Sequence, residues 1–129
     1  MKKAILSIVC LLALNVSAQK VISYPFGAAQ SFTAAASGTV AVTLSNQLAY
    51  MSAAPTLTAA TTLSFTAASS LKAGAMLFVV VKTTAEEVVT FAGAVTSSTV
   101  AGVAGKTWSQ GFLYNGTKYY PVGAKQQVD

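Results

Sequence analysis

The side chains that could transfer protons, hold metals or attack carbonyls are few in this chain, and their spacing keeps them apart. Glu86 and Glu87 are adjacent, and Asp129 is the third carboxylate. Neighbouring residues on a strand point to opposite faces, so Glu86 and Glu87 cannot flank one substrate as a general acid and base. They read as a solvated entry from a turn into a strand, and Asp129 is expected to be mobile at its terminus. The chain has no histidine, and its eight basic residues are all lysine. General acid–base catalysis therefore lacks a side chain that titrates near neutral pH. A zinc site wants clustered His or Cys, and a calcium loop wants several carboxylates at fixed spacing. Serines are plentiful, but a serine nucleophile needs a base and only lysine is on hand. A Ser–Lys dyad stays open chemically, with no signature to support it. The expectation is a protein without catalytic residues, metal or cofactor, acting by contact.

Contact falls to the aromatic residues near the C-terminus. Trp108, Phe112, Tyr114 and Tyr119 are brought to one face by the element that carries them, with Lys118 beside the turn. That face has two readings: a surface that stacks on sugar rings or docks a partner, or the inner side of a sheet or subunit interface. Leu113, Tyr120 and Val122 fall on the opposite face. The carrying element is a hairpin. Lys106 to Tyr114 and Thr117 to Val122 flank Asn115-Gly116, the favoured pair for a two-residue turn because both positions need positive φ. This register pairs Tyr114 with Thr117, Phe112 with Tyr119 and Gly111 with Tyr120. Pro121 is tolerated as an edge position. Asn115-Gly116-Thr117 also matches a glycosylation sequon, which the turn already accounts for.

The rest of the chain must form the sheets that hold this hairpin. Val40, Val42 and Leu44 alternate with hydroxyls in Thr39 to Ser45, and Leu63 and Phe65 do the same in Thr61 to Thr66. Period-two alternation rich in Thr and Val marks half-buried strands. Ala75 to Lys82 is apolar on both faces and reads as a central strand, covered by a second sheet or by a neighbouring subunit. Glu86 to Phe91 follows a short turn and is expected to pair with it as a hairpin. Residues 93–105 suit a loop with one short strand. Ser31 to Ser37 echoes Ser64 to Ser70, through related sheet halves or through composition alone. No helical period is sustained, so the expected fold is all-β: a small antiparallel β-sandwich or jelly roll.

The N-terminus has its own pattern. Lys2 and Lys3 precede an apolar run of about 13 residues, Ala4 to Val16, against roughly 20 for a spanning helix. Val16-Ser17-Ala18 offers small residues at a cleavage position. Residues 1–18 are expected to be a signal peptide or a retained N-terminal docking arm, with 19–129 a single domain. Cys10, the only cysteine, lies inside the apolar run, so no disulfide is expected to staple that domain. Much of the apolar count is Ala, which buries little; a thin core of this kind favours association of identical subunits. The formal net charge is +5, with dispersed lysines and no arginine, which is a solubilising surface and not a nucleic-acid stripe.

From Leu71 onward the order of elements is familiar: Lys72-Ala73-Gly74 before the apolar strand Met76 to Val81, then Val88 to Gly93, then Gly105 to Val122 with Tyr114-Asn115-Gly116-Thr117 at its turn. It resembles the small jelly-roll modules of tailed-phage virion proteins, such as head fibres, capsid decorations and tail tips. About half the chain carries the resemblance. It implies a virion structural component, assembly as a homo-oligomer of three copies, and contact with other virion proteins or a host cell-surface glycan. The signal-like N-terminus is a departure from those modules, and implies either a retained docking arm or an exported bacterial surface or matrix protein.

Overall fold

The computed structural model describes residues 27–96 and 98–129; the expected signal or arm at 1–18 lies outside them. Among the described residues ten strands form two facing sheets. They are β1 (Gln30–Phe32), β2 (Gly38–Leu44), β3 (Leu48–Met51), β4 (Thr56–Leu57), β5 (Thr61–Ala67), β6 (Met76–Thr83), β7 (Val88–Gly93), β8 (Ser98–Ala101), β9 (Thr107–Tyr114) and β10 (Tyr119–Gln127). The larger sheet has the order β1-β3-β6-β9-β10, with β4 also on β6; the smaller has β2-β5-β7-β8. The fold is an all-β sandwich.

Strand directions are mixed and not antiparallel throughout. β1, β3 and β6 pair in parallel, as do β2, β5 and β7, while β8, β9 and β10 join antiparallel. The cause is the path of the chain. Apart from the link between β3 and β4, each early connection arches across to the opposite sheet and reverses direction, so two arches return the chain to its first sheet running the same way. β3 and β4 lie end to end along β6: Leu48 to Tyr50 pair with Met76 to Phe78, and Thr56-Leu57 with Lys82-Thr83. β6 and β7 are therefore not the expected hairpin. β7 belongs to the smaller sheet, where its buried Val89 and Phe91 face the core from the side opposite β6.

Between the sheets lies one core, and it is not thin. Leu44, Leu57, Leu63, Phe65, Leu77, Val79, Val81, Val89, Phe91, Trp108, Phe112 and Tyr119 are all fully buried. The many alanines sit mainly on arches and outer faces; among the described residues only Ala49 and Ala75 are buried. Rings from the two sheets meet edge-on, Phe32 against Phe65 at 5.7 Å and Phe91 against Phe112 at 4.8 Å between centroids. Such pairs add about 0.5–1.5 kcal/mol beyond their burial. The Ser31 to Ser37 and Ser64 to Ser70 echo thus places one phenylalanine in each sheet, where the two rings touch.

The arch after β7 needs its glycine. Gly93 has φ of 76°, and a Cβ there would overlap the Phe65 carbonyl. That approach lets Ala94 N–H donate to Phe65 O at 2.6 Å, after which the chain crosses to the larger sheet. There Tyr119 N–H donates to Ala94 O and Thr96 N–H to Tyr119 O, both within 2.9 Å. Tyr119 thus directs its backbone away from β9. Pro121, two residues on, shares that direction, so its missing N–H costs the β9–β10 ladder nothing.

Candidate contact surface

The hairpin differs from its expected register by two residues. Tyr119 pairs with Tyr114, Tyr120 with Leu113 and Val122 with Gly111. The tip is Gly116-Thr117, with Asn115 opposite Lys118 and Asn115 N–H donating to Lys118 O at 3.0 Å. Asn115 acts through its side chain: Oδ1 accepts from the amides of Thr117 and Lys118, both at 2.9 Å. This is a local side-chain turn of the kind Asn favours, and it displaces the Asn-Gly turn by one position. Gly116 keeps a positive φ of 103°.

A two-residue shift leaves the faces unchanged, because side chains alternate with period two. Trp108, Phe112, Tyr114 and Tyr119 accordingly share the face expected of them, and that face is the core. None of the four is available to a partner; Lys118 is the one candidate left exposed, at the tip. Tyr114 and Tyr119 rings lie 4.8 Å apart. Trp108 Nε1 and Tyr119 OH are buried without a hydrogen-bond partner among the described residues. Burial, and then the adjacent Tyr114, pushes the Tyr119 phenol up to about 12.

Two of the three carboxylates do structural work. Glu87 Oε1 accepts from the Thr84 hydroxyl at 2.5 Å and the Ala85 amide at 3.0 Å, closing the turn between β6 and β7. The Thr84 hydrogen bond leads in holding this carboxyl below its usual range. Asp129 is not loose: its carboxylate accepts from the Thr107 amide at 2.5 Å and the Thr107 hydroxyl at 3.1 Å, where β9 begins. The Thr107 amide leads in lowering its pKa. Among the described residues no three His, Cys, Asp or Glu gather as a metal site. No helix among them is long and apolar enough to cross a membrane.

Five of the eight exposed large hydrophobics among the described residues share the outer face of the larger sheet. Tyr50, Phe78, Gly111 and Val122 stand in register across β3, β6, β9 and β10. A second row runs Leu48, Met76, Leu113 and Tyr120. Tyr50, Phe78, Leu113, Tyr120 and Val122 are 41–57% exposed, and none of these eight positions is charged. Isolated exposed hydrophobics need no explanation, but a contiguous patch does. Gly111 leaves a gap in it, a shallow groove of about 240 Å³ between Phe78, Met76 and Val122, with Gln126 at its end.

Alternation along the hairpin sets Leu113, Tyr120 and Val122 together on the face opposite the larger rings, and this smaller set is the exposed one. The usable signal was β6: its inner residues Leu77, Val79 and Val81 are covered by the second sheet, while Met76, Phe78 and Val80 face outward. No family model matches the chain, and no curated protein or solved structure matches it.

Proposed function

We propose that this chain is a non-enzymatic structural and contact protein that assembles with copies of itself through the outer face of the larger sheet. The observation that carries this reading is the uncharged patch of Tyr50, Phe78, Leu113, Tyr120 and Val122 across four strands. Soluble monomers rarely leave large apolar rings adjacent and open to water, and subunit interfaces are where such rings are buried. A second copy suits the patch, since an uncharged, aromatic surface faces its own image without repulsion. Lys118 and the Asn115 to Lys118 tip stand beside it for other partners.

The resemblance of residues 71–122 to tailed-phage modules favours a virion component, a head fibre, decoration or tail-associated subunit assembling as a trimer. Its further partners would be other virion proteins or a host glycan. The apolar run Ala4 to Val16 favours an exported bacterial surface or matrix protein instead. Two experiments test the proposal. Sedimentation velocity at low micromolar concentration should give a trimer, and Phe78→Ser with Tyr120→Ser should give a folded monomer there. Peptide mass mapping should then find the chain in purified particles on the first reading, and in the surface or medium fraction on the second.

A further inference from the structure

The four sheet edges are not equally protected. A free edge strand offers a row of unpaired backbone groups, and proteins blunt such edges with shortness, charge, proline or bulges. β1 has three residues and β8 four; Lys125 Nζ also donates to Ala101 O at the end of β8. β10 carries Pro121, a register shift between Val122 and Gln126, and Lys125. β2 has none of these. It is seven residues long, GTVAVTL, uncharged, without proline, and in unbroken register with β5.

Which backbone groups β2 leaves free follows from two hydrogen bonds. Leu44 O accepts from Ala68 N–H, so Val40, Val42 and Leu44 direct their backbone toward β5. Thr43 O accepts from Gln30 Nε2 at 2.7 Å, on the opposite side. Thr39, Ala41 and Thr43 therefore direct N–H and C=O outward. Among the described residues only that Gln30 amide reaches them, and the Thr43 carbonyl keeps a second lone pair.

The strand is also a palindrome: Thr39-Val40-Ala41-Val42-Thr43 reads the same in both directions. We propose that β2 pairs antiparallel with β2 of a second copy about a two-fold axis at Ala41. Opposed residues in an antiparallel pair share a face. The axis sets Ala41 against itself, Val40 against Val42 on the core side, and Thr39 against Thr43 on the outer side. Every contact is apolar with apolar or hydroxyl with hydroxyl, as a self-complementary two-fold interface requires. Val40 and Val42, only half-buried in one copy, become covered. The two smaller sheets join into one of eight strands. This contact shares with the proposed function the premise that the chain assembles with itself, but it uses a different sheet.

Amide exchange on the full-length protein tests it. The Thr39, Ala41 and Thr43 amides should exchange at least about tenfold more slowly at high than at low micromolar concentration, because pairing sequesters them. Ala41→Lys opposes two ammonium groups across the axis, and Ala41→Pro deletes the central donor without touching the β5 ladder. Each should abolish the concentration dependence while leaving the circular dichroism spectrum intact; if the proline variant does not fold, the lysine variant decides. Phe78→Ser should leave it in place, which separates this edge from the outer face. Fast exchange at every concentration overturns the proposal. So does protection at a monomer mass, which would mean that residues 1–26 cover the edge, and so does loss of protection in Phe78→Ser.

Discussion

Phe78 lies over Gly111 on the neighbouring strand, so close that a Cβ at Gly111 would stand 3.3 Å from its ring. An aromatic ring covering a glycine shields a backbone that would otherwise be open to water. It also fixes the ring in the outer surface, half-exposed, where a partner can reach it. Gly111→Val should push this ring aside and fill the groove. Since the displaced group is a surface side chain and valine favours strands, the melting temperature should hold within a few degrees. Self-association measured by sedimentation should weaken.

Gly93 is the opposite case. Its φ of 76° and the Phe65 carbonyl leave no room for a side chain, and both belong to backbone. Gly93→Ala should cost about 3 kcal/mol or more, read from urea unfolding midpoints. Gly74→Ala carries the φ strain without the overlap and should cost less.

The hairpin tip separates two accounts of its turn. With Asn115 Oδ1 accepting two amides, Asn115→Ala should destabilise the protein by about 1–2 kcal/mol in the same assay. Asn115→Asp keeps the acceptor and should retain most of the stability.

Tyr119 sets a pH dependence at the alkaline end. Its folded pKa, about 12, lies above the ordinary value of 10.0, so the folded state holds this proton more tightly. Its contribution is complete below pH 10 and is lost progressively as pH rises from 10 toward 12. Unfolding midpoints should fall over that window by more in the wild type than in Tyr119→Phe. At neutral pH the phenylalanine variant should be as stable or slightly more so, because the buried hydroxyl has no partner among the described residues.

Alternation made much of this fold legible. Val40, Val42, Leu44, Leu63, Phe65 and the inner residues of β6 and β9 announce their strands because one face is core. The direction of pairing was not legible. Nothing in a strand states whether the following turn folds it back on its neighbour or arches to the opposite sheet, which is why β6 and β7 read as a hairpin. β3 and β4 are too short for periodicity to register. The hairpin tip misled by one position because Asn can serve a turn through its side chain as well as through its backbone. The contact surface was half legible: Phe112 and Tyr114 drew attention by size, but in a sandwich the largest rings fill the core, and Phe78 stood inside a run whose second covering was left open.

The central claim is that the chain acts by self-contact through the outer face of the larger sheet. Static light scattering of the full-length protein from low to high micromolar concentration tests it most directly, beside the Phe78→Ser, Tyr120→Ser variant. The account predicts an oligomeric mass for the wild type and, for the variant, a folded protein of monomer mass at low micromolar concentration that rises no further than the dimer expected of the β2 edge. A monomer mass for the wild type at every concentration, or an oligomer that persists unchanged in the variant, would contradict it.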